Sequence, residues 1–119
     1  RLGNVEFLAR TVDTPRFNFQ IIEIAAGRQL EQHTHDGEDD AFYILEGEMT
    51  FTFGDEEAAA PPGTFVLVPP DVAHGFRNDG DVPVRMLNIH APAGFDRVGF
   101  HREFNAAVVK YFRDQLGED

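Results

Sequence analysis

Residues 33–48 read HTHDGEDDAFYILEGE, and this stretch decides how the rest of the chain is interpreted. His33 and His35 are two residues apart, so on an extended strand both imidazoles point to the same face and can chelate one metal ion. Carboxylates follow at once, among them Glu38 and Asp40. Neutral imidazoles beside a carboxylate suit Fe, Mn, Ni, Cu or Zn. The stretch therefore predicts a site for one divalent transition metal ion, although a histidine pair alone also fits an exposed acidic loop.

Short strands separated by turns are predicted on both sides of this stretch. Residues 17–21 and 49–53 alternate with a period of two, which is typical of half-buried strands. Residues 41–45 are apolar throughout and predict a strand covered on both faces. Clusters of Gly, Pro, Asn and Asp separate the segments. Strands at this regular spacing predict an all-β sandwich or barrel. Further strands are predicted at 64–68, 73–77 and 83–89.

The pattern changes to a helical period near the end of the sequence. Apolar side chains recur there at spacings of three and four residues, with charged and polar side chains between them. Gly117 follows as a stop signal. We therefore expect an amphipathic α-helix over about residues 101–116, lying on the barrel or across its mouth. Its apolar residues are Phe104, Ala107, Val108, Tyr111 and Phe112.

Length and composition narrow the class of protein. The 119 residues predict a single domain spanning 1–119. A formal net charge of −11 argues against binding to nucleic acid or to anionic membrane surfaces, because both attract basic proteins. The sequence contains no cysteine, no apolar run of roughly 20 residues and no secretion signal at its start. We therefore expect a cytoplasmic protein without disulfides, thiolate metal sites or a membrane partner.

The spacing around the histidine pair resembles a family signature. Five residues separate Gly27 from His33 and His35, four more lead to Asp40, and six more lead to Gly47. A glycine, an HxH pair, an acidic residue and a second glycine at these spacings resemble the first signature of the cupin superfamily. The strand and turn that follow the pair, residues 41–48, look similar to the same part of that signature.

A second signature follows in the expected order. Five residues separate Gly63 from Pro69, and His74 and Asn78 come after it. This resembles the second cupin signature, and the two together cover about residues 20–92. The resemblance implies a double-stranded β-helix, or jelly-roll, with a barrel core over about residues 15–92. Pro69 and Asn78 have turn roles in this interpretation.

The resemblance also implies a ligand set. Carried over to this chain, the cupin metal ligands are His33, His35, His74 and the acidic position, Asp40. The family has glutamate at that position, and the aspartate here is shorter by about 1.5 Å. Asp40 still reaches the metal if the strand shifts slightly. The alternatives are that Glu38 replaces it, or that three histidines and water hold the ion.

The resemblance implies a class of function but no single reaction. The chain looks like the small quercetinase-like cupins, which implies a dioxygenase acting on an aromatic or enolic small molecule, with Asp40 or Glu38 as the proton acceptor. A metal-dependent isomerase or cyclase and a non-catalytic metal- or small-molecule-binding cupin are the alternatives. Small cupins often pair through their sheets, which implies a homodimer. His90 ends the last predicted strand, and we interpret it as a hydrogen-bonded structural histidine rather than a proton carrier.

Overall fold

The computed structural model describes residues 3–35 and 37–93, and these residues form two antiparallel sheets. Their strands are β1 (Gly3–Ala9), β2 (Asn18–Ile24), β3 (Gln29–His33), β4 (Asp39–Glu46), β5 (Met49–Phe53), β6 (Glu56–Ala60), β7 (Phe65–Val68), β8 (His74–Arg77) and β9 (Val84–Ala91). The first sheet has the order β1-β2-β9-β4-β7, and the second has the order β3-β8-β5-β6. The predicted all-β class is confirmed. The helix predicted over 101–116 lies outside the described residues.

The apolar core lies between the two sheets. The rings of Phe42 in the first sheet and Phe51 in the second are 5.2 Å apart, and Phe76 packs against both of them. All three side chains are buried. Phe65 is different, because it faces outward and is 61% exposed. Among the described residues, no helix is long and apolar enough to span a membrane.

The inward-facing side chains of β9 extend from the apolar core to the functional site. Burial alternates along this strand, so Val84 and Met86 point into the apolar core at one end. The same period of two turns Asn88 and His90 inward further along, where they are 3% and 1% exposed. One strand therefore supplies apolar side chains to the core and polar side chains to the region beyond it.

Gly47 connects β4 to β5 in a turn that accepts only glycine. Its φ is +78°, a left-handed conformation that other residues adopt at a cost. A Cβ built there would lie 2.9 Å from the carbonyl oxygen of Pro83. Glycine is therefore favoured at position 47, where the first sequence signature ends, both by the backbone conformation and by the lack of space for a side chain.

Candidate metal centre

Four side chains of the predicted metal site converge between the two sheets. His33 ends β3 and His74 begins β8, and the two are direct cross-strand partners. His35 lies two residues beyond β3, where its carbonyl oxygen accepts a hydrogen bond from Asp71 N at 3.0 Å. Asp40 comes from β4 in the other sheet. The two sequence signatures thus meet across the gap between the sheets.

The donor atoms of these four side chains, one from each residue, all lie within 4.8 Å of one another. Asp40 Oδ2 is 3.2 Å from His74 Nε2 and 3.5 Å from His35 Nε2. Two ligand atoms that are each about 2.1 Å from one ion lie roughly 3–3.5 Å apart, so these separations suit a shared metal. His35, Asp40 and His74 are buried and His33 is half-buried.

Backbone carbonyls orient two of the imidazoles. His33 Nδ1 lies 2.9 Å from the carbonyl oxygen of Glu31, and His74 Nδ1 lies 2.9 Å from that of Val72. A carbonyl oxygen only accepts, so each Nδ1 carries the proton and donates it. In the neutral ring Nε2 then has a lone pair, which is the form that binds a metal ion.

The ring of His74 provides a test of whether a metal fits. Its Nδ1 faces the Val72 carbonyl and its Nε2 faces the Asp40 carboxylate, and both are acceptors. A neutral imidazole has one N–H and cannot donate to both. A cation between Nε2 and Oδ2, either a metal ion or a second ring proton, satisfies both groups. The residues therefore fit a metal ion.

A buried amide column fixes the carboxylate. Asn88 Nδ2 donates to Asp40 Oδ1 at 2.6 Å and to the Ala41 carbonyl oxygen at 3.0 Å. Gln20 Nε2 in turn donates to Asn88 Oδ1. The column crosses β2, β9 and β4, and its three side chains are buried. Since Oδ1 is held by the amide, Oδ2 faces the imidazoles.

The electrostatics of the cluster favour metal-binding protonation states. Burial, with smaller contributions from the nearby His74 and His35, lowers the pKa of His33 to about 4. Burial alone would raise the pKa of Asp40, but its close contacts with the imidazoles of His35 and His74 outweigh burial and lower that pKa below its usual range. Near neutral pH His33 is therefore neutral and Asp40 is ionised, as ligands must be.

A second buried group adjoins the first and includes His90. Glu38 Oε1 lies 3.8 Å from His35 Nδ1 and 3.7 Å from His90 Nε2, and the rings of His35 and His90 are 5.0 Å apart. The sequence interpretation of His90 as a strand-end structural residue did not anticipate this proximity. The signal was present, because His90 continues the inward-facing alternation of β9. Asn88 lies on the same inward face of β9, and neither it nor Gln20 on β2 was singled out from the sequence.

The geometry separates the roles of Asp40 and Glu38. Asp40 is in the group with all three predicted histidine ligands, whereas Glu38 is grouped with His35 and His90. The separations around Glu38 are also longer than two ligands of one ion require. Three imidazoles and one carboxylate would leave one or two coordination positions for water or a substrate.

Comparison with known proteins agrees with this architecture. The family model described as "Cupin domain" matches residues 20–90. A quercetin 2,3-dioxygenase of Bacillus subtilis (strain 168) is 31% identical over 70 residues, which are 59% of this chain and 20% of that enzyme. Two other curated relatives are matched over about half of their length.

Solved structures are similar to the described fold. KdgF from a Halomonas species is 18% identical, with a TM-score of 0.69 over 77% of this chain and 82% of that one. A putative sugar phosphate isomerase from Acidithiobacillus ferrooxidans is 30% identical, with a TM-score of 0.67 over 73% of this chain and 57% of that one.

Proposed function

This chain belongs to the cupin domain family, and from that premise we propose that it is a metal-dependent enzyme acting on a small molecule. The observation that carries the proposal is the convergence of His33, His35, Asp40 and His74, which could hold one ion. Such a set suits a redox-active or Lewis-acidic transition metal better than Ca²⁺ or Mg²⁺, which prefer oxygen ligands.

The reaction we propose is dioxygenation of an aromatic or enolic substrate. Both oxygen atoms of O₂ enter the substrate as a C–C bond breaks, so the substrate is oxidised, O₂ is reduced and no other reductant is needed. The similarity to a quercetin 2,3-dioxygenase supports this choice of reaction, although the chain matches only 20% of that enzyme's length. The bound metal would supply Lewis acidity and redox chemistry toward O₂.

Within the chain, Asp40 is the proposed proton acceptor. Its Oδ1 is held by Asn88, and its Oδ2 faces the imidazoles. An enol or phenol that enters the site loses its hydroxyl proton to Oδ2 in this proposal, which leaves the substrate oxygen anionic. His33 and His74 keep their Nδ1 protons on backbone carbonyls, so they hold their orientation while the proton moves.

A metal-dependent isomerase is the second candidate, and a specific likeness favours it. The putative sugar phosphate isomerase from Acidithiobacillus ferrooxidans is 30% identical over 73% of this chain. An isomerase would use the same ligands and the same carboxylate for proton transfer without consuming O₂. The two candidates therefore differ in one measurable requirement.

An oxygen electrode separates the candidates. The protein is loaded separately with Fe²⁺, Mn²⁺, Ni²⁺ and Cu²⁺ and screened against flavonols, catechols and sugar phosphates. Oxygen uptake that stops in the His33→Ala/His74→Ala variant supports the dioxygenase. Equal turnover under strict anaerobiosis contradicts it and favours the isomerase or cyclase. Metal binding with no turnover of any substrate favours a non-catalytic binding protein.

The homodimer remains a prediction, and we propose the outer face of the five-stranded sheet as its interface. Tyr43 and Phe65 are cross-strand partners there and are 42% and 61% exposed. Leu67 and Ile89 flank them on β7 and β9 and are 55% and 41% exposed. Large contiguous apolar patches on a protein surface mark interaction sites. Analytical ultracentrifugation of the wild type and of Phe65→Glu tests this, since the variant should shift a dimer toward monomer.

A further inference from the structure

Glu38 is a buried carboxylate that the proposed ligand set does not use. Its side chain has no exposed surface, and the residue as a whole is 1% exposed. Its Oε1 lies between His35 Nδ1 at 3.8 Å and His90 Nε2 at 3.7 Å. Burying a carboxylate is costly unless cationic or hydrogen-bonding groups compensate it. The position of Glu38 between two imidazoles therefore calls for a reason beyond packing.

The two ring nitrogens of His35 face two different carboxylates. Nε2 lies 3.5 Å from Asp40 Oδ2, on the side of the other proposed ligands, whereas Nδ1 lies 3.8 Å from Glu38 Oε1. His33 and His74 are oriented differently, because the Nδ1 atoms of both lie against backbone carbonyls. Within the described chain, His35 is thus the one proposed ligand whose Nδ1 faces an anion.

We propose that Glu38 and His90 are positioning residues for the metal ligand His35. Glu38 accepts the Nδ1 proton of His35, which leaves the Nε2 lone pair directed at the metal. His90 Nδ1 lies 3.4 Å from the Pro92 carbonyl oxygen and its Nε2 lies 3.7 Å from the same carboxylate, so this buried ring limits how far Glu38 can move away from His35. This inference rests on the proposed metal centre, and it assigns that centre a second carboxylate that does not coordinate the ion.

Charge balance supports the arrangement. A divalent ion held by three neutral imidazoles and Asp40 alone would leave one uncompensated positive charge in a buried site. Glu38 brings the sum to zero without occupying a coordination position. A metal ion on Nε2 would also make the Nδ1 proton more acidic, which strengthens its hydrogen bond to an anion.

The protonation of His35 favours this role over a second metal site. A second ion bound by His35, Glu38 and His90 would need His35 to lose its Nδ1 proton and bridge two metals. Binding of two ions per chain is accordingly an outcome that would overturn the proposal.

Titration of the full, metal-free chain with Co²⁺ tests the proposal independently of any catalysis. Glu38→Gln removes the charge but keeps the shape, and we expect it to weaken Co²⁺ binding about 10-fold, with one ion per chain. The d–d absorption of bound Co²⁺ should shift only slightly, because no coordinating atom is lost. Asp39→Asn is the matched control, since Asp39 is the exposed neighbouring carboxylate and should retain wild-type affinity.

A second variant and a second measurement keep the test informative if Glu38→Gln misfolds. His90→Leu removes the imidazole beside Glu38 but keeps the carboxylate, and it should weaken Co²⁺ binding less than Glu38→Gln does. Long-range ¹H–¹⁵N spectra of the Zn²⁺-bound wild type should show the proton of His35 on Nδ1. Equal Co²⁺ affinity in Glu38→Gln and wild type overturns the positioning role while the metal centre stands. A proton on Nε2 overturns the positioning role and also removes His35 from the ligands that bind through Nε2. Failure of the wild type to bind Co²⁺ overturns the metal centre and the positioning role together.

Discussion

His74 Nε2 lies 3.2 Å from Asp40 Oδ2, while the other ring nitrogen of His74 lies 2.9 Å from a backbone carbonyl oxygen. One neutral ring thus faces two acceptors, and a cation between the ring and the carboxylate resolves the conflict. His74 is on β8 and Asp40 is on β4, so the contact also joins the two sheets. A metal ion at this point would link the second sequence signature to the first.

The first prediction concerns metal content. We expect about one transition metal ion per chain, and the double substitution His33→Ala/His74→Ala should empty the site while leaving the fold intact. Elemental analysis after dialysis measures the metal, and far-ultraviolet circular dichroism checks the fold. Thr34→Ala is the control, because Thr34 is the exposed residue between the paired histidines. Full metal occupancy in the double variant would show that the ion binds elsewhere.

The second prediction identifies the coordinating carboxylate. Asp40→Asn keeps an oxygen for Asn88 to bind but removes the negative charge that faces His35 and His74. It should weaken metal binding by roughly 100-fold or more, a larger loss than the 10–100-fold typical of groups that do not touch the ion. Isothermal titration with Zn²⁺ measures the loss. An unchanged affinity would leave three histidines and water as the ligands.

The sequence predicted the parts of this protein that local patterns control. The spacing of glycines and histidines identified the family, and the structure brings His33, His35, Asp40 and His74 together. The choice of Asp40 over Glu38 followed from counting residues, and the burial of both carboxylates could not be read from an acidic run.

The features that sequence reasoning missed depend on contacts between distant strands. β6 has the sequence EEAAA, whose glutamate and alanine disfavour strands, and it was not predicted. It forms because all five of its residues pair with β5. The amide column of Gln20 and Asn88 was missed because two uncharged polar residues in separate strands resemble ordinary surface positions until the strands are paired.

The third prediction concerns that amide column. Asn88→Leu should lower the free energy of unfolding by about 1–3 kcal/mol. The buried Gln20 amide would lose the oxygen to which it donates, and Asp40 Oδ1 would lose the donor that it accepts from. Gln20→Leu should cost less, since Asn88 keeps its bonds to Asp40 and Ala41. Urea unfolding of both single variants and the double variant measures the coupling. Strictly additive costs would mean that the column does not act as a unit.

The fourth prediction concerns the spacing of β3 and β8. A Cβ on Gly75 would lie 2.6 Å from the carbonyl oxygen of Leu30 and 2.9 Å from Gln32 N, and backbone atoms cannot rotate away. Gly75→Ala should therefore push β3 from β8, separate His33 from His74, destabilise the fold by about 1–3 kcal/mol and weaken metal binding. Thermal unfolding with and without Zn²⁺ measures both effects. Gly80→Ala is the matched control, because its nearest contact is a side-chain atom at 3.4 Å.

The last prediction concerns the pH dependence of the metal-free protein. Burial lowers the pKa of His33 from 6.5 in the unfolded chain to about 4 in the folded one. Between these values the unfolded chain binds a proton that the folded chain rejects, so proton uptake favours unfolding and stability falls as the pH falls. The effect is absent above about pH 6.5 and complete below about pH 4, where a shift of this size corresponds to roughly 3 kcal/mol at most. Urea unfolding in the presence of a chelator, measured from pH 4 to 8, follows the change.

His33→Gln cannot titrate, so its stability should fall less steeply across this window than that of the wild type. Parallel pH curves for the two proteins would show that His33 is protonated at its ordinary pKa and does not enter the site in its neutral form.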